Sequence, residues 1–373
     1  MKKLIGLLSA LLIVFLLTAC SESFTDDIGK GNTEEIVKEI YNAGDAEETS
    51  EPMENTKEEL TDIIDESGAG NADNDGEHEQ TEYYRVTRIS RAVTSRDMRR
   101  FESRHAVSAE QERYLAFGAF VMTNNTESIR VLALYNSADM SSTLLSNYWS
   151  VDDRESALTQ LELLSSANGQ SPVADDIFNT LVKNNQLEPL DANVLLFSGF
   201  SFKGLENVLS HSERRAASMD VEMELWMDML GAKEEDRDEV FELFVFALAV
   251  ERINSGLEAY IGAKTLLMED FGFTEEELLG IPALTAWDYG RAAIIARYGV
   301  EAGYLEEKEV WAYLKAASDN AADTYNDWRE YTAAHILGRA LAFGNDSGDF
   351  RDTLDFLLNH PESSFHTIDF KIS

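Results

Sequence analysis

The chain has 373 residues, 44% of them hydrophobic and 10% aromatic, with a formal net charge of −38 at pH 7. Length and apolar fraction suffice for one or two domains with a buried core, while the charge argues against a partner that presents a phosphate backbone, so nucleic acid is not expected. Cys20 is the single cysteine, which rules out an intrachain disulfide and leaves stability to packing.

Lys2 and Lys3 precede an almost wholly apolar run from Leu4 to Leu17, broken by Gly6, Ser9 and Ala10. That length suits a signal-peptide core and falls short of the roughly 20 residues of a membrane span. Leu17-Thr18-Ala19-Cys20 follows: an aliphatic residue, two small ones, then cysteine. The series resembles the lipobox of bacterial lipoproteins. The resemblance implies removal of residues 1–19 as a signal peptide. It also implies a diacylglyceryl group on Cys20 and a lipid-anchored place on the extracytoplasmic face of the cell membrane. Two acyl chains of the palmitate kind anchor firmly where one binds weakly and reversibly. The alternative is an uncleaved anchor with an incidental cysteine, against which stands the polar stretch that follows at once.

Residues 21–82 carry 21 acidic side chains and three lysines. Like charges extend such a segment and few apolar groups reward collapse, so 20–82 is expected to be a disordered acidic tether. Two islands, Glu34 to Tyr41 and Leu60 to Ile64, interrupt it. Residues 83–105 reverse the sign: Arg85, Arg88, Arg91, Arg96, Arg99, Arg100 and Arg104 fall among two acids, Asp97 and Glu102. One use of this segment is a patch for lipid headgroups or a partner. The other is a face that pairs with the protein's own acidic surface, which the excess of acid on either side favours. This basic segment and a first helix make up residues 83–144.

Helices are predicted from there on. Ser108-Ala109-Glu110-Gln111 reads as a capping box opening a helix that stops near Asn124-Asn125. Ser150 to Asp153 reads as another N-cap, followed by Ala157, Leu158, Leu161 and Leu164 on one face. Polar turns are expected around Asn168-Gly169 and Pro172, with a short helix near 175–184 and an amphipathic one over 213–230. Residues 237–252 are the most apolar stretch, and an all-round apolar helix belongs at the centre of a core. Thr274 to Glu277 is a further capping box, and helices follow near 284–301, 306–324, 327–343 and 349–359. No period-2 alternation supports a major sheet, so the predicted class is all-α, a compact multi-helix domain.

Trp149, Val151-Asp152-Asp153-Arg154-Glu155, Ala286-Trp287-Asp288-Tyr289-Gly290-Arg291, Ala296-Arg297-Tyr298-Gly299, Ala302-Gly303-Tyr304-Leu305, Val310-Trp311-Ala312-Tyr313, Trp328 and Leu337-Gly338-Arg339 follow in this order. The series resembles the bacterial DUF1266 domain family, whose function is unknown, over about residues 145–370. The tail from Ser364 to Phe370 looks like a degenerate form of the family's ending. Asn168-Gly169-Gln170 stands where the family often has Gly-His-Arg, and Phe343, Phe365 and Phe370 stand where Trp is frequent. The resemblance brings no reaction with it.

Asp288 and Arg291, at i and i+3, share one helix side, with Arg297 roughly opposite. They make either half of a polar site or a lock between helices inside a core, and buried charges that need partners favour the lock. His335 and Arg339 lie one turn apart on another helix, which would set an imidazole beside Asp288 across a helix pair. A lone helix histidine is more often a packed, hydrogen-bonded residue. Trp149, Trp287, Trp311 and Trp328 line a ligand groove or, as large aromatics usually do, fill the core. None of the histidines, at 78, 105, 211, 335, 360 and 366, has metal-ligand spacing. There is no G-x-S-x-G and no phosphate-binding loop, so no catalytic set, metal or cofactor is predicted.

The leading expectation is a membrane-tethered binding or scaffold domain for a protein or cell-envelope ligand. The alternative is a hydrolase with a polar site around Asp288, Arg291 and His335, and a third possibility is a membrane-proximal sensor whose basic segment touches lipid.

Overall fold

A computed structural model describes residues 87–191, 208, 221–344 and 350–371. The apolar leader, Cys20, the acidic segment, Arg85 and residues 213–220 of the expected 213–230 helix lie outside the described residues. The chain divides into two units, Met1–Thr81 and Glu82–Ser373, and the described residues all belong to the second.

Two short helices open it, α1 (Arg88–Val93) and α2 (Arg96–Arg104), capped by the side chains of Thr87 and Ser95. Next come α3 (Ala109–Ala116) and α4 (Ala119–Asn124), where one continuous helix is expected. The break has a cause: the Phe117 carbonyl accepts the Tyr331 hydroxyl at 2.7 Å instead of continuing the helical ladder. An irregular stretch leads to α5 (Ser141–Trp149), and Ser150, at φ +51°, ends it. Asp153 caps α6 (Arg154–Ser165) through a capping box with Ser156. Helix α7 (Ser171–Thr180) starts earlier than its sequence suggests, because Pro172 sits in the first turn, where its missing N–H costs nothing.

Helix α8 (Val221–Leu230) precedes α9 (Arg237–Phe271), which runs 35 residues to Gly272 and far outlasts the apolar stretch 237–252. Glu277 and Thr274 form the expected capping box of α10 (Glu275–Gly280). Then follow α11 (Ala286–Glu301), α12 (Glu307–Thr324), α13 (Trp328–Phe343), α14 (Arg351–Asn359) and α15 (Ser364–Thr367). The fold is all-α: no strand occurs among the described residues. No helix among them is long and apolar enough to cross a membrane.

The centre of the core is α11, not the 237–252 stretch. Every residue of α11 from Ala286 to Gly299 is buried, with α5, α6, α12 and α13 packed around it and α4 and α7 at its edges. The 237–252 stretch keeps Phe246, Ala247 and Leu248 partly exposed. The difference lies in side-chain size. Alanines 286, 292, 293 and 296 and glycines 290 and 299 let neighbours approach α11 from all sides, which the bulky residues of 237–252 do not.

Helices α9 and α13 cross backbone against backbone at Gly256. A Cβ on Gly256 would lie 2.6 Å from the Leu341 carbonyl oxygen of α13. Alanine improves helix propensity by about 1 kcal/mol at an unconstrained site. Here the obstacle is backbone, which cannot rotate away, so Gly256→Ala should lose about 1–3 kcal/mol. A urea titration checks this, and an unchanged or raised midpoint would show that the crossing has slack.

Candidate functional site

Helix α11 carries Asp288, Arg291 and Arg297 into the core, where a charge without partners is costly. Asp288 and Arg291 share the loop before α7 as partner, and Arg297 is answered from the stretch after α4.

Asp288 caps α7 from outside. Its carboxylate accepts the backbone N–H groups of Gly169 at 2.9 Å, Gln170 at 3.1 Å and Ser171 at 3.1 Å. Gln170 is the N-cap residue of α7, and its side chain makes no capping bond. The first turn of a helix leaves N–H groups orphaned and carries a partial positive charge, so a carboxylate there is favoured twice. The approach needs a bare backbone: a Cβ on Gly169 would lie 2.8 Å from Asp288 Oδ1 and 2.9 Å from Leu164 Cδ2.

Arg291, one turn along α11, donates to the same Asp288 oxygen and, at 2.8 Å, to Gln170 Oε1. Its guanidinium lies 4.5 Å from the centre of the Trp287 ring and 5.5 Å from that of Trp149. Burial pulls its pKa down and the Asp288 carboxylate opposes that. The loop that departs from the family's usual Gly-His-Arg therefore meets both charged motif residues, Gln170 through its side chain.

Arg297 faces elsewhere. It donates to the carbonyls of Leu132 at 3.0 Å, Ser128 at 2.7 Å and Ala133 at 2.8 Å. Burial lowers its pKa to about 10, the carboxylate of Glu127 being the largest opposing charge. Glu127, itself buried, accepts the N–H groups of Asn136 at 3.0 Å and Ser137 at 2.8 Å and the Ser137 hydroxyl at 2.6 Å. The two side chains hold the irregular stretch between α4 and α5 by its backbone. Glu127 escapes a sequence reading because a lone glutamate after Asn-Asn-Thr looks like any loop residue.

His335 is sealed in. Its Nδ1 lies 3.1 Å from the Ala286 carbonyl, which only accepts, so Nδ1 carries the proton and Nε2 faces the interior without a partner. Gly290 makes room for the ring, since a Cβ there would lie 2.5 Å from Cε1. Phe120 and Trp287 pack on the ring at centroid distances of 4.8 and 5.2 Å. Burial pushes the imidazole down to about 3. The expected neighbourhood with Asp288 does not form, because Ala286 and Gly290 lie on the opposite side of α11 from Asp288 at 100° per residue. Trp287 stands between the two systems and touches both Arg291 and His335.

Arg339 is half-buried with its guanidinium 4.3 Å from the centre of the Phe350 ring. Trp328 stacks on Phe365, meets Phe370 edge-on and donates its indole N–H to the Ile368 carbonyl at 2.8 Å. It fastens the C-terminal tail. Trp311 is half-buried on α12 at the margin of the core. Thus Trp149 and Trp287 flank Arg291, while Trp328 and Trp311 serve other parts of the fold. Among the described residues no three His, Cys, Asp or Glu side chains converge as metal ligands.

Asp175 completes the polar lock and had no signal in the sequence to set it apart from Asp176 beside it. Its Oδ1 accepts the Leu284 N–H at 2.5 Å. Tyr325 donates to the Ala283 carbonyl and accepts the Ala286 N–H, both at 2.9 Å. Together with Asp288 these groups satisfy the turn that launches α11 and the start of α7.

Asp288→Ala leaves Arg291 buried without its carboxylate and three N–H groups without an acceptor, so about 3–5 kcal/mol of stability should be lost, read from urea denaturation. A near-neutral result would mean that water replaces the carboxylate. The pH dependence has a sign. Burial raises Asp175 from the usual 3.8 to about 6, so protonation favours the folded chain and Asp175 adds stability as pH falls from about 6 to 4. His335 works in reverse: its neutral form is the folded one, and its contribution is lost as pH falls from about 6.5 towards 3. Asp175→Asn keeps an acceptor for Leu284 and should make the acid loss of stability steeper between pH 6 and 4, measured by urea midpoints across that range.

The family model described as a protein of unknown function (DUF1266) matches residues 144–370. No curated protein and no solved structure matches the chain. The matched span contains the Asp288–Arg291 lock, the α7 loop that it caps, the His335 chamber and the tail held by Trp328, and the chain belongs to the DUF1266 family.

Proposed function

We propose that the protein is an exported lipoprotein, held through acylated Cys20 at the outer face of the cell membrane. In this reading residues 20–82 are its tether. The helical head then acts as a binding or scaffold module for a protein or cell-envelope ligand rather than as an enzyme. The observation that carries this reading is the occupation of the motif's polar atoms by the protein itself. Asp288 accepts three backbone N–H groups and Arg291, and Arg297 donates to three carbonyls. A general acid or base needs an atom that faces a substrate and a pKa near the working pH. His335, at about 3 and walled in by Phe120, Gly290 and Trp287, offers neither.

A hydrolase built on Asp288, Arg291 and His335 would require the carboxylate to leave the α7 cap and the imidazole to reach solvent.

Growth with a tagged palmitate analogue tests the tether. The wild-type chain should carry the tag and fractionate with membranes, and Cys20→Ser should lose both. A tag that persists in Cys20→Ser would refute lipidation at this residue. For the head, no turnover is expected against ester, amide, phosphate or glycoside substrates. Turnover that disappears in a folded His335→Gln variant would replace the binding reading with the hydrolase.

A further inference from the structure

Helices α1 and α2 bury one face each, Ser90 and Val93 on α1 and Met98 and Phe101 on α2. At 100° per residue Arg88 and Arg91 fall on the outer face of α1, and Arg96, Arg99, Arg100 and Arg104 fan across the outer face of α2. All six are exposed. Pairing with the protein's own acids accounts for one of them among the described residues, Arg99 with Glu362 at 3.1 Å, and that pair is itself open to solvent. The second acid of α2, Glu102, turns inward to accept the Ser128 hydroxyl at 2.7 Å. On a chain whose net charge is −38, two consecutive helices thus present arginines outward with Asp97 as the one exposed acid between them.

We propose that the outer faces of α1 and α2 form a docking surface for anionic lipid headgroups, which lays the head against the bilayer in a fixed orientation. The proposal rests on the tethering reading, which puts the head beside a membrane. Charge complementarity carries it. The rest of the acidic chain would be repelled by an anionic surface, but at physiological ionic strength charges more than about 8 Å away are screened. Only the face in contact decides the sign, and this face is cationic. Arginine forks match phosphate oxygens bidentately. The aliphatic stems of Arg96, Arg100 and Arg104 add reach without apolar side chains that would bind neutral lipid. Each arginine near such a surface changes binding roughly fivefold, so the patch discriminates anionic from zwitterionic membranes without inserting.

The test uses the full chain on vesicles. One set contains one-third phosphatidylglycerol in phosphatidylcholine and the other phosphatidylcholine alone. An arginine-specific dicarbonyl reagent maps accessibility by mass spectrometry. Expected is protection of Arg88, Arg91, Arg96, Arg100 and Arg104 on the anionic vesicles at 0.15 M salt, lost at 1 M salt and absent on the neutral ones. Arg154 and Arg351, exposed on other helices, should react equally throughout. Arg96→Gln/Arg100→Gln/Arg104→Gln should weaken the protection of Arg88 and Arg91 by roughly a hundredfold in effective affinity, five per arginine, with an unchanged melting temperature. Flotation separates the two readings. A chain that floats with both vesicle types yet shows equal labelling overturns docking and leaves tethering intact. One that floats with anionic vesicles alone supports docking against the lipid anchor, and one that floats with neither overturns both. Protection by a soluble polyanion with none on vesicles would overturn the choice of lipid.

Discussion

Burial of α11 on all its sides is the constraint from which the rest of the head follows. A helix so placed cannot send a charged side chain to water, so Asp288, Arg291 and Arg297 must each be answered from within. The answers determine where other parts of the chain go. The N-terminus of α7 has to meet Asp288, the loop before it has to be bare at Gly169, and the irregular stretch after α4 has to turn its carbonyls towards Arg297.

Such charged centres fix geometry more than they add free energy, because desolvation offsets much of the attraction between buried ions. The apolar packing around alanines 292, 293 and 296 supplies most of the driving force. What the carboxylate of Asp288 supplies is register: it recognises three successive N–H groups, and a shift of α7 by one residue would leave one of them unmet. Placing Arg291 between that carboxylate and the faces of Trp149 and Trp287 adds orientation to the same corner.

The helical class, most caps and the helices from Thr274 onward were legible because local chemistry decides them: a threonine or aspartate side chain reaches an N–H three residues on, wherever the helix sits. The Asp288–Arg291 pair was legible for the same reason, being i and i+3. The partners were not: Gly169 and Gln170 stand out only as a turn and a departure from the family pattern, while Asp175 and Glu127 carry no local mark, and all of them meet α11 or the turn before it across more than a hundred residues of chain. Apolarity also misled about the centre. Phe241 to Val250 is richer in large apolar residues than α11, yet the central place goes to the helix with the smallest side chains, which neighbours can approach from every direction. His335 was legible as a packed histidine, but its neighbour was misplaced, because the side of α11 that it meets depends on the crossing of α13.

Residues 113 and 370 hold each other, Arg113 donating to the Phe370 carbonyl at 3.0 and 3.3 Å, while Arg130 reaches the Thr367 hydroxyl at 2.9 Å. These bonds span 257 and 237 positions of sequence. The early helices therefore depend on a clasp that lies far along the chain, and closing a loop over such a distance costs entropy. Arg130 keeps a near partner in Glu112, but among the described residues Arg113 has its acceptor only at Phe370. The tail is consequently a structural part of the N-terminal helices, and a break in the chain before Phe370 would unfasten α3 together with the tail itself.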